Sequence, residues 1–212
     1  MKKNILLLAL CLTVLFGGKA AWASGDFYVI TVGGVGTKIT SVPHTITQPG
    51  FYYLAKNLSS TGSGILVTAD DVTIDLMGFT LTGPGSTNNG INISGQKNVE
   101  VRNGTIKSYN TGIYAYTSVS PRIINIRAES NSTGISCRSD GALITGCHAF
   151  NNSVGFDLSG SANIIQNVAY NNTNYGFWLR NDPMQLIDKN VSNNIGTNWY
   201  NAAGCTKGLN TP

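Results

Sequence analysis

Residues 112–137 read GIYAYTSVSPRIINIRAESNSTGISC, and the pattern that opens the stretch at Gly112 (glycine, apolar, any residue, apolar) returns at its end at Gly134. The same four-residue motif stands as GILV at Gly64, GINI at Gly90, GFDL at Gly155 and GFWL at Gly176, with a weaker copy, GTNW, at Gly196. The intervals between successive glycines are 26, 22, 22, 21, 21 and 20 residues. A unit of that length is too short for two helices and their turn. It fits one turn of a solenoid built from short strands.

Between the glycine motifs runs a second apolar segment, and five copies align without a gap: LMGFTL from Leu76, VRNGTI from Val101, IINIRA from Ile123, ITGCHA from Ile144 and IQNVAY from Ile165. The third position holds Gly78, Asn103, Asn125, Gly146 and Asn167, the residue types that best tolerate a left-handed backbone. The apolar spacing changes phase across that point, from the first position to the fourth and sixth, which predicts a bend between two short strands. Polar stretches such as SYNT before Gly112 and ESNST before Gly134 then turn the chain into the next motif. Each unit reads as three short strands, and the fold class as all-β, a parallel β-solenoid of about seven coils of 20–26 residues.

Stacked coils lie about 4.8 Å apart and set like residue on like. One inward column is Ile65, Ile91, Ile113, Ile135, Phe156 and Phe177; the next is Val67, Ile93, Ala115, Cys137, Leu158 and Leu179; a third is Phe79, Gly104, Ile126, Cys147 and Val168. Cys137 and Cys147 of one coil read as small buried thiols filling the core, with a disulfide between them as the alternative. The asparagines of the turns, Asn131 and Asn171 among them, read as hydrogen-bonded ladders before glycosylation sites, although both head N-x-S/T sequences.

The ends of the chain read differently. Lys2 and Lys3, the apolar run from Ile5 to Phe16 and Ala21-Trp22-Ala23 form a secretory signal, residues 1–23, cleaved after Ala23. The expected location is secreted or periplasmic. No later segment is long and apolar enough to span a bilayer. Removing Lys2, Lys3 and Lys19 leaves 11 of the 14 basic residues against 10 acidic ones, so the basic balance belongs mostly to the signal and a nucleic-acid partner is excluded. Residues 24–63 read as N-terminal strands forming a first, irregular coil and cap, 64–200 as the repeats and 201–212 as a tail. Trp199 and Tyr200 are candidates to cap the C-terminal end, and uncovered coil ends permit oligomer formation.

At VTIDLMGFTLTG (72–83), GINISGQKNVEVRNGTI (90–106) and the later glycine-motif coils, the chain resembles the right-handed parallel β-helix repeat proteins of the pectate-lyase-like superfamily, in the secreted bacterial repeat type. The resemblance covers residues 45–200 and implies an elongated right-handed coil whose outward face, in enzymatic members, binds or processes polysaccharide. Those members carry a calcium-binding acidic cluster with a catalytic arginine, or paired aspartates beside histidine and lysine. No matching run stands in this sequence.

Three outward columns remain for chemistry. The gapless alignment sets Asp75, Glu100 and Arg122 side by side, with the two carboxylates roughly 5 Å apart, within reach of a retaining glycosidase pair; a structural reading has Arg122 offsetting two neighbouring carboxylates. Asp70 and Asp71 add oxygens that could hold calcium, or simply form the turn before Val72. No metal site and no other cofactor is read. A second column, Leu66, Asn92, Tyr114, Ser136, Asp157, Trp178 and Asn198, places aromatic faces and polar groups in one strip, with Asn92, Tyr114, Asp157 and Trp178 as candidate glycan contacts. A third, Thr80, Thr105, Arg127, His148 and Ala169, reads as a solvated face, and His44 has no assigned role. The expected function is an exported non-catalytic module, structural or polysaccharide-binding. The alternative is a polysaccharide lyase or glycoside hydrolase acting through the acidic column.

Overall fold

The computed structural model describes residues 36–85, 88–180, 185–200 and 206–211. The signal sequence, its cleavage point and residues 24–35 lie outside the described residues. Among those described there is no helix, and so none long and apolar enough to cross a membrane.

The chain coils through two sheets in which every pairing is parallel. The eight-stranded motif sheet carries the glycine motifs: His44–Ile46, Ile65–Val67, Asn89–Asn92, Thr111–Val119, Thr133–Asp140, Val154–Ser159, Tyr175–Leu179 and Thr197–Tyr200. The second sheet, of 14 strands, folds along a corner into two faces. Its first face runs through Gly50–Leu54, Val72–Asp75, the start of Glu100–Lys107, the start of Arg122–Glu129, Ala142–Thr145, Ala162–Ile165 and Gln185–Asp188. Its second face runs through Thr80–Thr82, the ends of the two long strands, His148–Phe150, Val168–Tyr170 and Val191–Asn193. Each coil thus has three strands, as the phase change predicts. Thr37–Ile39 and His44–Ile46 already pair in register with Tyr52–Leu54 and Ile65–Val67, so residues 37–59 continue both sheets.

The motif glycines are required by close approach. A Cβ on Gly134 or Gly155 would sit 2.6 Å from the carbonyl oxygen of the motif glycine one coil on, where only hydrogen fits. The motif isoleucines and phenylalanines beside them form the central inward column, and all are at most 1% exposed. At its C-terminal end Phe156, Phe177 and Trp199 stack with centroids 4.6 and 4.3 Å apart and planes within 7°. Trp199, a candidate cap from the sequence, therefore extends this column. The GTNW copy is misplaced: Trp199 pairs with Phe177 and Tyr200 with Trp178, so Asn198 and not Gly196 occupies the glycine position.

Two corners hold buried asparagine ladders. In the first, Asn131, Asn152 and Asn172 each accept the backbone N–H of the preceding coil on Oδ1 (2.9–3.0 Å) and donate Nδ2 to a carbonyl of that coil, Ile106, Ala128 and Ala149 in turn. Asn194 and Asn198 extend it. In the second, Asn167, Asn190 and Asn210 repeat the geometry, beginning at the N–H of Cys147. An amide so placed satisfies interior donors and acceptors that a strand-to-strand turn would otherwise leave unpaired. Asn131 belongs to a ladder; Asn171 is half-buried at φ 55° and bonds to Asn151.

This second ladder corrects the bend column. Left-handed residues at that corner are Asn103 (φ 57°), Asn125 (54°) and Gly146 (65°), followed by Gln166 (58°) and Lys189 (54°). The coil after Gly146 is one residue shorter than the alignment assumes, because Ile144 pairs with Ile164. Asn167 therefore turns inward as a ladder amide. Val168 pairs with His148, which puts Val168 in the outward column and Ala169 in the core.

Cys137 and Cys147 are both buried free thiols, in different inward columns. Desolvation pushes each from 9.0 up to about 12, and pushes Tyr109 from 10.0 to about 12. The folded state favours the protonated forms, so unfolding releases protons above pH about 9. Stability is complete below that pH and declines as pH rises toward 12. Thiol labelling at pH 8, mapped by mass spectrometry, is expected to spare both cysteines in the native protein and modify both in urea. Rapid native labelling of either one contradicts its placement.

Candidate functional site

The first face of the bent sheet gathers the sequence's acidic candidates in a different register from the one expected. Asp75 pairs with Arg102, and Glu100 pairs with Thr73 on one side and Arg122 on the other. The cause is two additional residues at the corner, Met77 (φ 52°) and Gly78 (φ 81°), which close a tight turn from the Leu76 carbonyl to the Phe79 N–H. A gapless alignment slides Asp75 two residues along the strand.

The result is a ladder of alternating charge. Arg102 donates Nε to Asp75 Oδ2 (2.7 Å) and Nη1 to Glu100 Oε1 (2.8 Å), while Arg122 Nε lies 3.2 Å from Glu100 Oε2. Asp75 Oδ1 also accepts the Met77 N–H at 2.8 Å, and Asn103 Nδ2 contacts both Asp75 oxygens. All four carboxylate oxygens are engaged. The hydrogen bond to Asp75 is the largest influence raising the Arg102 pKa above its ordinary value; burial opposes it, and the charges of Asp75 and Glu100 add to it. Phe51 and Tyr53, stacked at 6.2 Å, stand opposite Thr73 and Asp75, and Arg102 lies 5.8 Å over the Phe51 ring. Neither ring is among the candidates that the sequence singles out. The alternation in GFYYL at Gly50 was the available signal.

Asp70 and Asp71 form the turn before Val72: Asp70 Oδ1 accepts the Lys97 N–H and Asp71 Oδ1 accepts Asn98 Nδ2. Among the described residues, no group of three or more His, Cys, Asp or Glu side chains could hold a metal ion.

The motif sheet places Leu66, Asn92, Tyr114, Ser136, Asp157 and Trp178 in one outward register, continued by Tyr200 where the sequence suggests Asn198. Asn92 Oδ1 caps the Ser94 N–H at 3.0 Å. Tyr114 stands beside Tyr116 with ring planes within 6° and centroids 6.3 Å apart. Asp157 is buried beneath two arginines, Arg138 and Arg180, which sequence reasoning did not single out. Trp178 has Arg180 3.8 Å over its ring and Tyr175 and Tyr200 at its sides, so Tyr116 and Tyr200, 45% and 39% exposed, present the freer rings. The signal for the arginines was their place two residues beyond the outward column, on the same side of a strand.

Two shallow depressions of about 450 and 380 Å³ lie at corners, one around Ser108, Tyr109, Ser130 and Asn151, the other around Thr117, Arg138, Asp140 and Ser159. Neither includes Asp75, Glu100 or Arg122. On the second face, Thr80, Thr105, Arg127 and His148 follow in register, with no carboxylate in the column.

Searches of the curated proteins and of the solved structures return no match. The family model described as right-handed beta helix region matches residues 55–196, the span that holds Asp75, Glu100 and Arg122, the outward column from Leu66 to Trp178 and most of both asparagine ladders. With parallel coils of three strands throughout that span, the chain belongs to the right-handed β-helix family.

Proposed function

We propose that the protein is an exported, non-catalytic β-helix module that binds polysaccharide along the outward side of its motif sheet. The observation that carries the reading is the strip itself: parallel Tyr114 and Tyr116 at one end, Trp178 and Tyr200 at the other, and polar side chains between. Ring faces pack against the C–H surfaces of sugars, and the half-buried Asn92 offers its amide to hydroxyls. The strip spans three coil steps between Tyr114 and Trp178, about 14 Å. Export rests on the charged, apolar and small-residue succession of residues 1–23.

On a glycan array the protein is expected to bind a subset of polysaccharides, and Tyr116→Ala to weaken that binding roughly tenfold, about 1.4 kcal/mol. Trp178→Ala should do at least as much, because it also frees Arg180. An array flat across acidic and neutral glycans removes the reading. Asp75 and Glu100 are occupied by arginines, which disfavours proton transfer or nucleophilic attack by either. Release of reducing ends or of unsaturated products from any polysaccharide, with or without calcium, would reverse that assignment in favour of a hydrolase or lyase.

A further inference from the structure

The binding strip carries more cationic charge than its own carboxylate neutralises. Arg138 lies one coil before Asp157 and Arg180 one coil after it. Arg138 Nη2 donates to Oδ2 at 2.5 Å, Arg180 Nε to Oδ1 at 2.6 Å and Arg180 Nη2 to Oδ2 at 3.3 Å. The carboxylate side chain is only 8% exposed, whereas the arginines retain 31% and 34%. Asp157 therefore lies beneath, holding two guanidinium groups that face outward with a net charge of one.

Those groups have donors to spare. Each guanidinium has five N–H donors in a planar fork, and three bonds to Asp157 are all that the two make with described residues. Arg138 Nε is buried with no acceptor among the described residues. The Trp178 ring under Arg180 fixes the plane of that fork, so little side-chain freedom is lost when it receives an anion. Among the described residues, Asp140 lies at the rim of the corner depression it shares with Arg138, and its Oδ1 accepts from the Ser161 N–H and hydroxyl. Tyr116 pairs directly with Arg138 in the sheet, so a ring platform and a guanidinium fork stand on adjacent coils.

We propose that Arg138 and Arg180, preset by Asp157 and Trp178, form an anion-recognition site that assigns the strip its ligand class: a glycan bearing carboxylate or sulfate groups, with a sugar ring against Tyr116. The inference rests on the glycan-binding reading and adds its chemistry. Guanidinium forks receive planar and tetrahedral oxyanions in bidentate fashion, which a neutral hydroxyl cannot match.

Titration calorimetry of the full chain with alginate, carboxyl-reduced alginate, a carrageenan and its desulfated form separates the cases. At least one acidic polymer is expected to bind tenfold or more tightly than its neutral counterpart, with affinity falling as salt is raised. Arg180→Gln should abolish that preference and Arg180→Lys should retain only part of it; each leaves Arg138 on Asp157, and circular dichroism checks the fold. Tyr116→Ala should weaken the polymers that bind without changing their ranking. Equal binding of acidic and neutral forms overturns the anion site and leaves the glycan reading standing. Binding of none overturns both.

Discussion

Asn152→Leu is expected to lower the free energy of unfolding by about 3–5 kcal/mol, although the substitution conserves size and adds apolar surface. The reason is what the amide leaves behind. Oδ1 accepts both the backbone N–H and Nδ2 of Asn131 (2.9 and 3.2 Å), and Nδ2 donates to the Ala128 carbonyl at 3.0 Å. Asn152 is 1% exposed, so water cannot replace it. The Asn131 N–H and the Ala128 carbonyl lose this partner at about 1–3 kcal/mol each, and Asn131 Nδ2 and Asn172 Oδ1 lose one contact while keeping another, which sets the expected range. Asn151→Gly, one residue earlier, exposed and at φ 58°, should change stability by less than about 0.5 kcal/mol, since glycine adopts that backbone freely. Urea unfolding followed by circular dichroism measures both. Equal effects at the two positions would refute the ladder as a stabilising element.

Gly155→Ala is the second large effect. Its Cβ would meet the Gly176 carbonyl oxygen at 2.6 Å and Asn172 Nδ2 at 2.9 Å. Neither neighbour can withdraw: the first is backbone of the next coil, and the second is fixed by the Ala149 carbonyl and Asn194. Separating the coils locally strains the sheet and the ladder together, so about 3 kcal/mol or more should be lost, and valine at this position should prevent folding. Gly62→Ala is the contrasting case. No atom lies within 4 Å of its Cβ and its backbone is unstrained for an L residue, so stability should hold or rise by about 0.4–1 kcal/mol. Comparable melting temperatures for Gly155→Ala and the parent protein would show that the coils tolerate wider spacing than the glycine column implies.

What the sequence makes legible here is whatever every coil must satisfy. A glycine where coils touch and an isoleucine or phenylalanine directly after it recur because each coil meets the same neighbour, so Gly64 to Gly176 and Ile65 to Phe177 are found by period alone. The bend is legible in Asn103, Asn125 and Gly146, but not in Gln166 and Lys189, because a left-handed position at an exposed corner costs only modestly for a polar side chain. Asparagine also serves two purposes one residue apart, and Asn167 was assigned to the wrong one. At Met77 and Gly78 the corner absorbs two extra residues without disturbing the strands on either side, so composition gives no sign that Asp75 has moved from Glu100 to Arg102.

The candidate strip is legible as a column and not as an environment. Alternation places Tyr114, Asp157 and Trp178 on one side of the sheet, which the register bears out. It cannot tell that Asp157 lies buried under Arg138 and Arg180, or that Arg180 covers Trp178, because those relations cross coils diagonally through long side chains. Phe51 and Tyr53 escaped notice because the repeat fades near the N-terminus, where strand pairing continues without the glycine motif.

The two ladders and the glycine column share a property with the rungs of a staircase: each is completed by the step that follows, at a fixed rise. Deleting residues 134–154, one whole turn, would bring Thr133 to Gly155 and renew every one of those contacts, whereas deleting ten residues would break all of them at once. Extra residues survive where Met77 and Gly78 sit, on a landing between flights. Over evolutionary time such a molecule can change its reach only by whole turns, and vary its outline only at its corners.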